Sequence, residues 1–176
     1  NTAIGYQALD ANTTGNINVA IGYDALGSLT TADANVAVGR EALASVTTGT
    51  RNTALGTSAG MTATDVNDNT ALGYAALKDN AAASNTAVGS FALTENTTGD
   101  SNTAVGHTSL FTQTTGENNT AIGKESLYYN TTGARNVAVG RYALYANTTA
   151  NDNVAVGYTA GSAITTGTRN IAIGAY

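Results

Sequence analysis

The chain has 176 residues, a net charge of −5 and only seven Lys and Arg residues, which argues against a nucleic-acid partner because such a partner requires a basic stripe. It contains no Cys, Pro or Trp, so disulfides, thiolate metal sites and cysteine nucleophiles are excluded. No apolar run approaches the roughly 18 residues of a membrane-spanning helix, and this segment is therefore not expected to span a membrane.

One pentapeptide, Asn-[Thr/Val/Ile]-Ala-[Ile/Val/Leu]-Gly, recurs along the whole chain. Its copies begin at Asn1, Asn18, Asn35, Asn52, Asn69, Asn85, Asn102, Asn119, Asn136, Asn153 and Asn170. The step is 17 residues, except for a step of 16 between Asn69 and Asn85. A fixed short period predicts a solenoid, in which each repeat contacts only its neighbours. We number the repeat positions from the motif Asn, so that Asn1 to Ile17 occupy positions 1 to 17.

The local composition favours extended structure over helix. Gly recurs in every repeat, β-branched residues are common and no stripe with a period of 3.6 residues survives. The sequence therefore predicts an all-β fold, a parallel β-solenoid of about ten 17-residue coils that occupies residues 1–176 as one array. Each coil is expected to hold two or three short strands and to stack at about 4.8 Å on the next, which gives a rod about 50 Å long.

Strand alternation assigns the side chains of the motif to faces. Position 4, which is always Ile, Val or Leu, is predicted to point into the core, and position 2 shares its face. Position 3 is Ala in every copy, where a solvent-facing position should vary. The sequence therefore predicts that the Ala face is also buried, against something close to it. Gly at position 5 predicts a turn with positive φ or a close backbone approach.

Two further columns have structural interpretations. The eleven motif Asn residues, if stacked, form an amide ladder along the rod, or else their side chains cap turns. Position 9 is Leu in eight of the ten repeats and is predicted to be a second core column. Gly60 and Gly161 interrupt it, and the nearby Met61 and Ile164 are expected to fill the space.

The second half of the repeat contains the residues that indicate turns and loops. The tripeptide Thr-Thr-Gly recurs at residues 13–15 and in five later repeats, and one of its Thr columns is expected to lie outside. The 16-residue repeat has Lys-Asp-Asn-Ala-Ala-Ala-Ser at residues 78–84. A one-residue deletion is easiest in a loop, so this segment is placed on an edge of the solenoid. The variable positions 6, 7, 10, 11, 16 and 17 hold nearly all the charge and should be surface.

The motif resembles known repeats. The segments NNTAIG, SNTAVG and RNVAVG resemble the NSVAIG-type repeats of YadA-like heads in trimeric autotransporter adhesins. The longer pattern NTAIGYQALxxNTTGxxN looks like arrays in bacteriophage tail-fibre and related surface-fibre proteins. This resemblance implies a left-handed β-roll with three chains side by side, used in attachment, in which the small Ala at position 3 would let the three backbones approach. A single chain folded as a two-layer coil would explain the Ala column as well. Adhesin heads usually have a shorter period, so the extra residues are expected to enlarge a turn.

No catalytic constellation is found in the sequence. His107 is the only His and sits at variable position 6, which predicts a surface residue. Asp65, Asn67 and Asp68 offer oxygen ligands but lack the spacing of a known calcium loop. The sequence therefore predicts no enzyme, no metal site and no cofactor.

Two surface features have a functional interpretation beside a structural one. Phe111, Tyr128 and Tyr145 share position 10 and should stack into an aromatic ladder, with Tyr129 and Tyr142 near it. Such a ladder could contact a glycan or a neighbouring surface. The alternative is that the rings pack on one another and stabilise the rod. Asn-x-Thr sequons for N-glycosylation occur, although Asn is common in turns anyway. They lie at Asn12, Asn96, Asn118, Asn130 and Asn147.

The repeat favours a structural rod in an extracellular, cell-surface or virion fibre, assembled as a homotrimer or end to end, with a host-surface glycan or protein as partner. Residues 1–5 and 170–174 are ordinary motif copies, so the rod is expected to continue into further repeats or another subunit. An ice-binding module is the first alternative, since Thr columns on a flat β-face can order water. A glycan-cleaving tailspike is the second, but it requires carboxylates that converge in a cleft. The acidic residues of this chain are instead scattered over variable positions.

Overall fold

The computed structural model describes residues 1–175, and Tyr176, the last residue of the predicted array, lies outside that range. Eleven strands of three residues form one parallel sheet in chain order. The strands are β1 (Thr2–Ile4), β2 (Val19–Ile21), β3 (Val36–Val38), β4 (Thr53–Leu55), β5 (Thr70–Leu72), β6 (Thr86–Val88), β7 (Thr103–Val105), β8 (Thr120–Ile122), β9 (Val137–Val139), β10 (Val154–Val156) and β11 (Ile171–Ile173).

The register repeats with the motif. Ala3 pairs with Ala20, and Ala20 pairs with Ala37 in the next coil. The 16-residue step keeps this register, because Thr70 pairs with Thr86. The predicted fold class is therefore confirmed: the chain is a parallel β-solenoid of about ten turns, with no helix between residues 1 and 175.

Each coil contains one strand rather than the two or three that we predicted. Residues at positions 7, 9 and 17 have φ between 49° and 63° in coil after coil, as in Glu125, Leu127 and Arg135. This left-handed conformation breaks a strand and turns the chain. The corners nevertheless bond from coil to coil, for example from Leu127 N–H to the Ala143 carbonyl at 3.0 Å, so the stack is continuous outside the sheet too.

The structure reverses the predicted faces of the strand. Ala at position 3 points into the chain's own core and is 0% exposed in Ala20, Ala104 and most of its equivalents. The aliphatic side chains at positions 2 and 4 point outward, and Leu55 is 47% exposed. Our assignment of position 4 to the core was wrong, and so was the expectation that the Ala column faces another chain; the column is buried within the single chain, as the alternative explanation predicted.

The width of the coil explains this reversal. Position 9 packs directly opposite the Ala column, and a Cβ built on Gly161 would lie only 3.5 Å from the Cβ of Ala172. A larger side chain at position 3 would enter the space that Leu occupies. Because interiors are close-packed, the small residue belongs on the inside of this narrow coil.

The Leu column at position 9 is a core column, as predicted. Its buried members are Leu26, Leu43, Leu77, Leu93, Leu110, Leu127 and Leu144. Gly60 and Gly161 replace Leu with the same backbone conformation, at φ values of 59° and 60°, which Gly adopts without steric cost. Ile164 packs against the core near Gly161 as expected. At Gly60, however, a methyl group of Leu43 lies closest to the missing side chain.

Gly at position 5 allows the coils to approach closely, as predicted. Gly106 has a φ of 136°, and a Cβ placed on it would lie 2.6 Å from the carbonyl of Gly123 in the next coil. The deleted residue of the short repeat is the second Thr of the corner. Ala81 N–H bonds to the Thr97 carbonyl, and Ala82 takes the role of Gly99 in accepting a bond from the motif Asn, so Thr98 has no counterpart. The deletion thus lies on an edge, as expected.

The Ala column provides a test of this arrangement. Replacing Ala104 with Leu should destabilise the chain by about 1–3 kcal/mol, because the added methylene groups overpack a core position that is fully buried. Thr103→Leu, which points outward from the same strand, should change the free energy of unfolding by less than about 0.5 kcal/mol. Denaturant unfolding followed by circular dichroism measures both, and equal effects would contradict the assignment of the two faces.

Candidate functional site

The motif Asn residues form a continuous ladder. The side-chain oxygen of each accepts the backbone N–H of the next motif Asn at 2.8–3.0 Å in all ten steps, from Asn1 to Asn170. The side-chain nitrogen donates to the carbonyl at position 15 of the same repeat, as from Asn119 to Gly133 at 2.8 Å. The side chain therefore both links the coils and closes the corner, which joins the two alternatives that the sequence left open.

A second amide column lies inside the rod at position 12. Asn96 donates to Asn80 at 2.7 Å, and Asn147 donates to Asn130 at 3.1 Å. All four side chains are 0% exposed. The side-chain oxygen of Asn147 is buried without a partner, because the next residue in the column is Ile164. This column is structural, and it replaces the apolar Leu29 and Val46 of the earlier coils.

This inner column changes the setting of the predicted glycosylation sites. Asn96, Asn130 and Asn147 are fully buried, so the folded chain does not present their amides to an enzyme. Asn12 is half-buried and bonds to both the N–H and the carbonyl of Gly15. Asn118 is exposed, at a corner with φ of 58°. Glycosylation stays a prediction, and in the folded chain Asn118 is the most accessible acceptor of the five.

A substitution in the motif ladder tests how much the ladder contributes to the stability of the fold. Asn119→Ala should lower the free energy of unfolding by about 1–3 kcal/mol, because a buried polar group left without a partner costs about that much. The group affected is the Asn136 N–H, whereas the Gly133 carbonyl loses one bond and keeps another from Asn130. Asn16→Ala, which removes an exposed side chain bonded to Thr14, should cost less than about 1 kcal/mol. Urea titration compares them, and amide hydrogen exchange at Asn136 should report the lost acceptor.

Eight aromatic rings form a continuous strip along one corner of the rod, which we call the aromatic strip. Its members are Tyr74, Phe91, Phe111, Tyr128, Tyr129, Tyr142, Tyr145 and Tyr158. The three residues that the sequence singled out do stack: the ring centroids of Phe111 and Tyr128 are 5.4 Å apart, and those of Tyr128 and Tyr145 are 5.5 Å apart. Tyr129 stands perpendicular to Tyr128 and Tyr145 and remains 46% exposed.

The period alone could not identify the whole strip. Tyr74 and Tyr158 occupy position 6 and Phe91 occupies position 7, whereas the predicted ladder occupies position 10. Residues at these positions meet in space because the chain turns sharply between them, at position 7 and again at position 9. Phe91 bridges the two parts, with its centroid 5.0 Å from Tyr74 and 6.3 Å from Phe111. The neighbouring Tyr142 also carries a cation–π contact with Arg141 at 4.5 Å.

The hydroxyl groups of the strip are not equivalent. A hydrogen bond with Tyr129, together with burial, raises the pKa of Tyr145 to about 12. Burial raises the pKa of Tyr128 as well, with smaller contributions from Tyr129, Glu125 and Glu95. Both carboxylates therefore lie near the rings, so the strip combines aromatic surface, neutral hydroxyl groups and nearby acceptors.

The corner at positions 14 to 17 carries an exposed Thr column and paired charges. Arg51 pairs with Asp68 at 2.6 Å, and Arg135 pairs with Asp152 at 2.7 Å, each across adjacent coils. Hydrogen bonds from Thr47 and Thr48 lower the pKa of Asp65. The carboxylates of the calcium-like segment thus already have partners within the chain. Among the described residues, no group of three His, Cys, Asp or Glu side chains is placed to hold a metal ion.

The sheet face formed by positions 2 and 4 is the other candidate surface, and we call it the apolar sheet face. It presents two outward side chains from each of the eleven strands, and Leu72 and Ile122 are each 41% exposed in the middle of the rod. A separate cavity of about 400 Å³ opens beside Gly161, Ile164 and Ala172, where the Leu column ends. That cavity is the open end of the core.

No helix among residues 1–175 is long and apolar enough to cross a membrane. No family model, curated protein or solved structure matches the chain. The candidate functions therefore depend on the geometry of the apolar sheet face and the aromatic strip.

The raised pKa of Tyr145 predicts a loss of stability at high pH. Because the folded state favours the protonated hydroxyl, its contribution is complete below the ordinary tyrosine value of about 10 and is lost as the pH rises to about 12. Tyr145→Phe should reduce this alkaline loss, as measured by thermal unfolding at a series of pH values. Tyr23→Phe, which is outside the aromatic strip, should keep it. An unchanged pH profile in Tyr145→Phe would contradict the assignment.

Proposed function

We propose that the chain is a rigid rod segment of an extracellular, cell-surface or virion fibre, and that three copies assemble side by side in parallel through the apolar sheet face. The role is structural: the rod holds variable side chains at fixed intervals for attachment and display. It requires no cofactor and no reaction step.

The unbroken apolar sheet face is the observation that carries this proposal. The strand is about 10 Å wide and the stack about 50 Å long, so the face covers roughly 500 Å². A contiguous patch of that size is comparable to the largest apolar patch of a typical monomeric protein, and such patches are often functional. Six strands place Thr at position 2 and all eleven place Ile, Val or Leu at position 4, with no charged side chain at either position. A straight, narrow face of this kind suits an identical straight face in parallel.

The regularity of the stack supports the role of a stiff element. Backbone pairing, the motif Asn ladder and the inner amide column all run along the rod axis. Three rods that shared a common axis would bury Leu72, Ile122 and their equivalents. The corner with the aromatic strip and the corner with the Thr column would both stay in solvent. The resemblance to trimeric adhesin heads and phage tail fibres agrees with this arrangement, and it is the reason for preferring three copies over two.

Ice binding is a second candidate for the same face. Its outward methyl-bearing side chains repeat at the strand spacing on a flat sheet, and the two on each strand lie two residues apart, as in Thr103 and Val105. This array is more regular than the Thr corner that the sequence suggested. An ice-binding rod would have to leave the face in solvent, so it would be monomeric and would show thermal hysteresis.

Sedimentation equilibrium tests the assembly. The chain should sediment at three times its mass of 17.6 kDa, and the double variant Leu72→Lys and Ile122→Lys should sediment as a monomer with unchanged far-ultraviolet circular dichroism. Two buried, unpaired ammonium groups per chain would disfavour the trimer. The fold itself should survive, since both residues are partly exposed in the single chain.

The matched control places the same charges on the Thr corner. Thr115→Lys and Thr132→Lys lie on adjacent coils in an exposed column and should leave the trimer intact. A monomeric wild-type chain at tens of micromolar would reject the proposal. If that monomer also showed thermal hysteresis, ice binding would replace it.

A further inference from the structure

We infer that the aromatic strip is a binding site for a neutral, extended, β-linked polysaccharide, which lies along the rod axis over repeats 5 to 10. This goes beyond the proposed rod function, because the strip lies on a corner of the single chain and does not require the apolar sheet face to be covered.

The solenoid does not need aromatic residues at this corner. At position 10, which holds Phe111, Tyr128 and Tyr145, earlier coils place Gly27 and Ala44 in the same fold. At position 7, Phe91 and Tyr142 correspond to Ala, polar or charged residues in the other repeats. The equivalent coils pair in the same register with or without the rings. The clustering of eight rings in six consecutive coils therefore reflects something other than the requirements of folding.

The shape of the strip selects a linear ligand. It is a corner about six coils long, and with coils about 4.8 Å apart it extends over roughly 24 Å. The backbone beside it offers no free strand edge, since Thr112 N–H bonds to the Tyr128 carbonyl and Tyr129 N–H bonds to the Tyr145 carbonyl. An extended peptide could not add a strand here. A glycan chain needs only aromatic surface for its apolar ring faces and hydroxyl partners at its edges.

The polar groups around the strip point to a neutral and polyhydroxylated ligand. Six of the eight rings are tyrosines, and Tyr74 and Tyr158 are about half exposed. Glu95 is exposed and lies in the coil next to Phe111, to which its N–H is bonded. Glu125 pairs with Lys124 at 3.1 Å, and Arg141 stacks on Tyr142. Charges of both signs thus border the rings, which favours no charged ligand, while the carboxylates can accept bonds from sugar hydroxyls.

The linkage follows from the linear order of the coils, whose strands pair in register from one end of the strip to the other. A β1,4-linked chain is a flat ribbon that keeps successive sugar rings in line, whereas an α1,4-linked chain curls away from a straight surface. The coil spacing places a new aromatic position roughly once per sugar unit along the ribbon. Several weak contacts then act together, and affinity should grow with the number of sugar units.

Isothermal titration calorimetry of the intact chain tests the site with cellohexaose and chitohexaose as probes. At least one should bind saturably, with cellotriose weaker, whereas maltohexaose, hexagalacturonate and a decaproline peptide should not bind. In the double variant Tyr128→Ala and Tyr129→Ala the affinity should fall by about tenfold or more, because two adjacent aromatic contacts with the sugar rings are lost.

The matched control removes a second stacked pair on the same chain. Tyr6 and Tyr23 stack with centroids 5.7 Å apart at the other end of the rod, so Tyr6→Ala and Tyr23→Ala should leave the affinity unchanged. Three outcomes would overturn the inference: neither neutral hexaose binds, the two double variants lose equal affinity, or only the decaproline peptide binds. Far-ultraviolet circular dichroism and sedimentation of each variant separate a loss of sugar binding from a loss of fold or assembly.

Discussion

The ladder of motif Asn side chains is the interaction on which the rest of the rod depends. In each coil one amide accepts the backbone N–H of the next coil and donates to a carbonyl of its own corner, as Asn119 does with Asn136 and Gly133. The strand is only three residues long, so its backbone bonds alone give little register. The amide extends the pairing by one residue and ties it to the corner. Once this position repeats, the strands and the corners must repeat in step, which is why the period is so strict. The single short repeat keeps that step, because the omitted residue precedes the carbonyl to which the amide bonds, so the segment from that carbonyl at Ala82 to the next motif residue, Asn85, keeps its usual length.

The period, the parallel stacking and the columns of Leu and Gly could all be predicted from the sequence, because each follows from spacing or from the conformational range of one residue type. Which face of the strand points into the core could not be predicted. Alternation shows that positions 2 and 4 share a face, but it does not show which face is inside. Ile, Val and Leu are among the residues most often fully buried, and this general preference favoured position 4 as the core column. Here the corner brings Leu at position 9 so close that only Ala fits opposite, and that distance depends on left-handed residues such as Leu127, which no propensity predicts.

The same left-handed turns explain why the aromatic strip was only partly predictable. Phe111, Tyr128 and Tyr145 share one position and were visible as a column. Tyr74, Phe91 and Tyr158 join them only because the chain reverses direction between positions 6 and 10, so that residues in different columns become neighbours. A period predicts contacts within a column, whereas contacts between columns require the shape of the corner.

The columns of the rod fall into two groups with different constraints. Positions 1, 3, 5 and 9 are fixed by packing: Asn completes the ladder, Ala faces Leu, and Gly106 would meet the Gly123 carbonyl with any side chain. Position 10 accepts Gly27, Ala44 and Tyr128 with the same backbone pairing. A residue choice that the fold does not constrain can change from coil to coil without affecting stability, so binding properties can vary along the rod while its stiffness stays constant.

The apolar sheet face is neither fully fixed by packing nor fully free to vary. A single chain would tolerate polar residues there, and yet every strand keeps an aliphatic one at position 4. The proposed assembly would account for this column, because a row of identical neighbours along the same face would favour an aliphatic side chain in every coil alike.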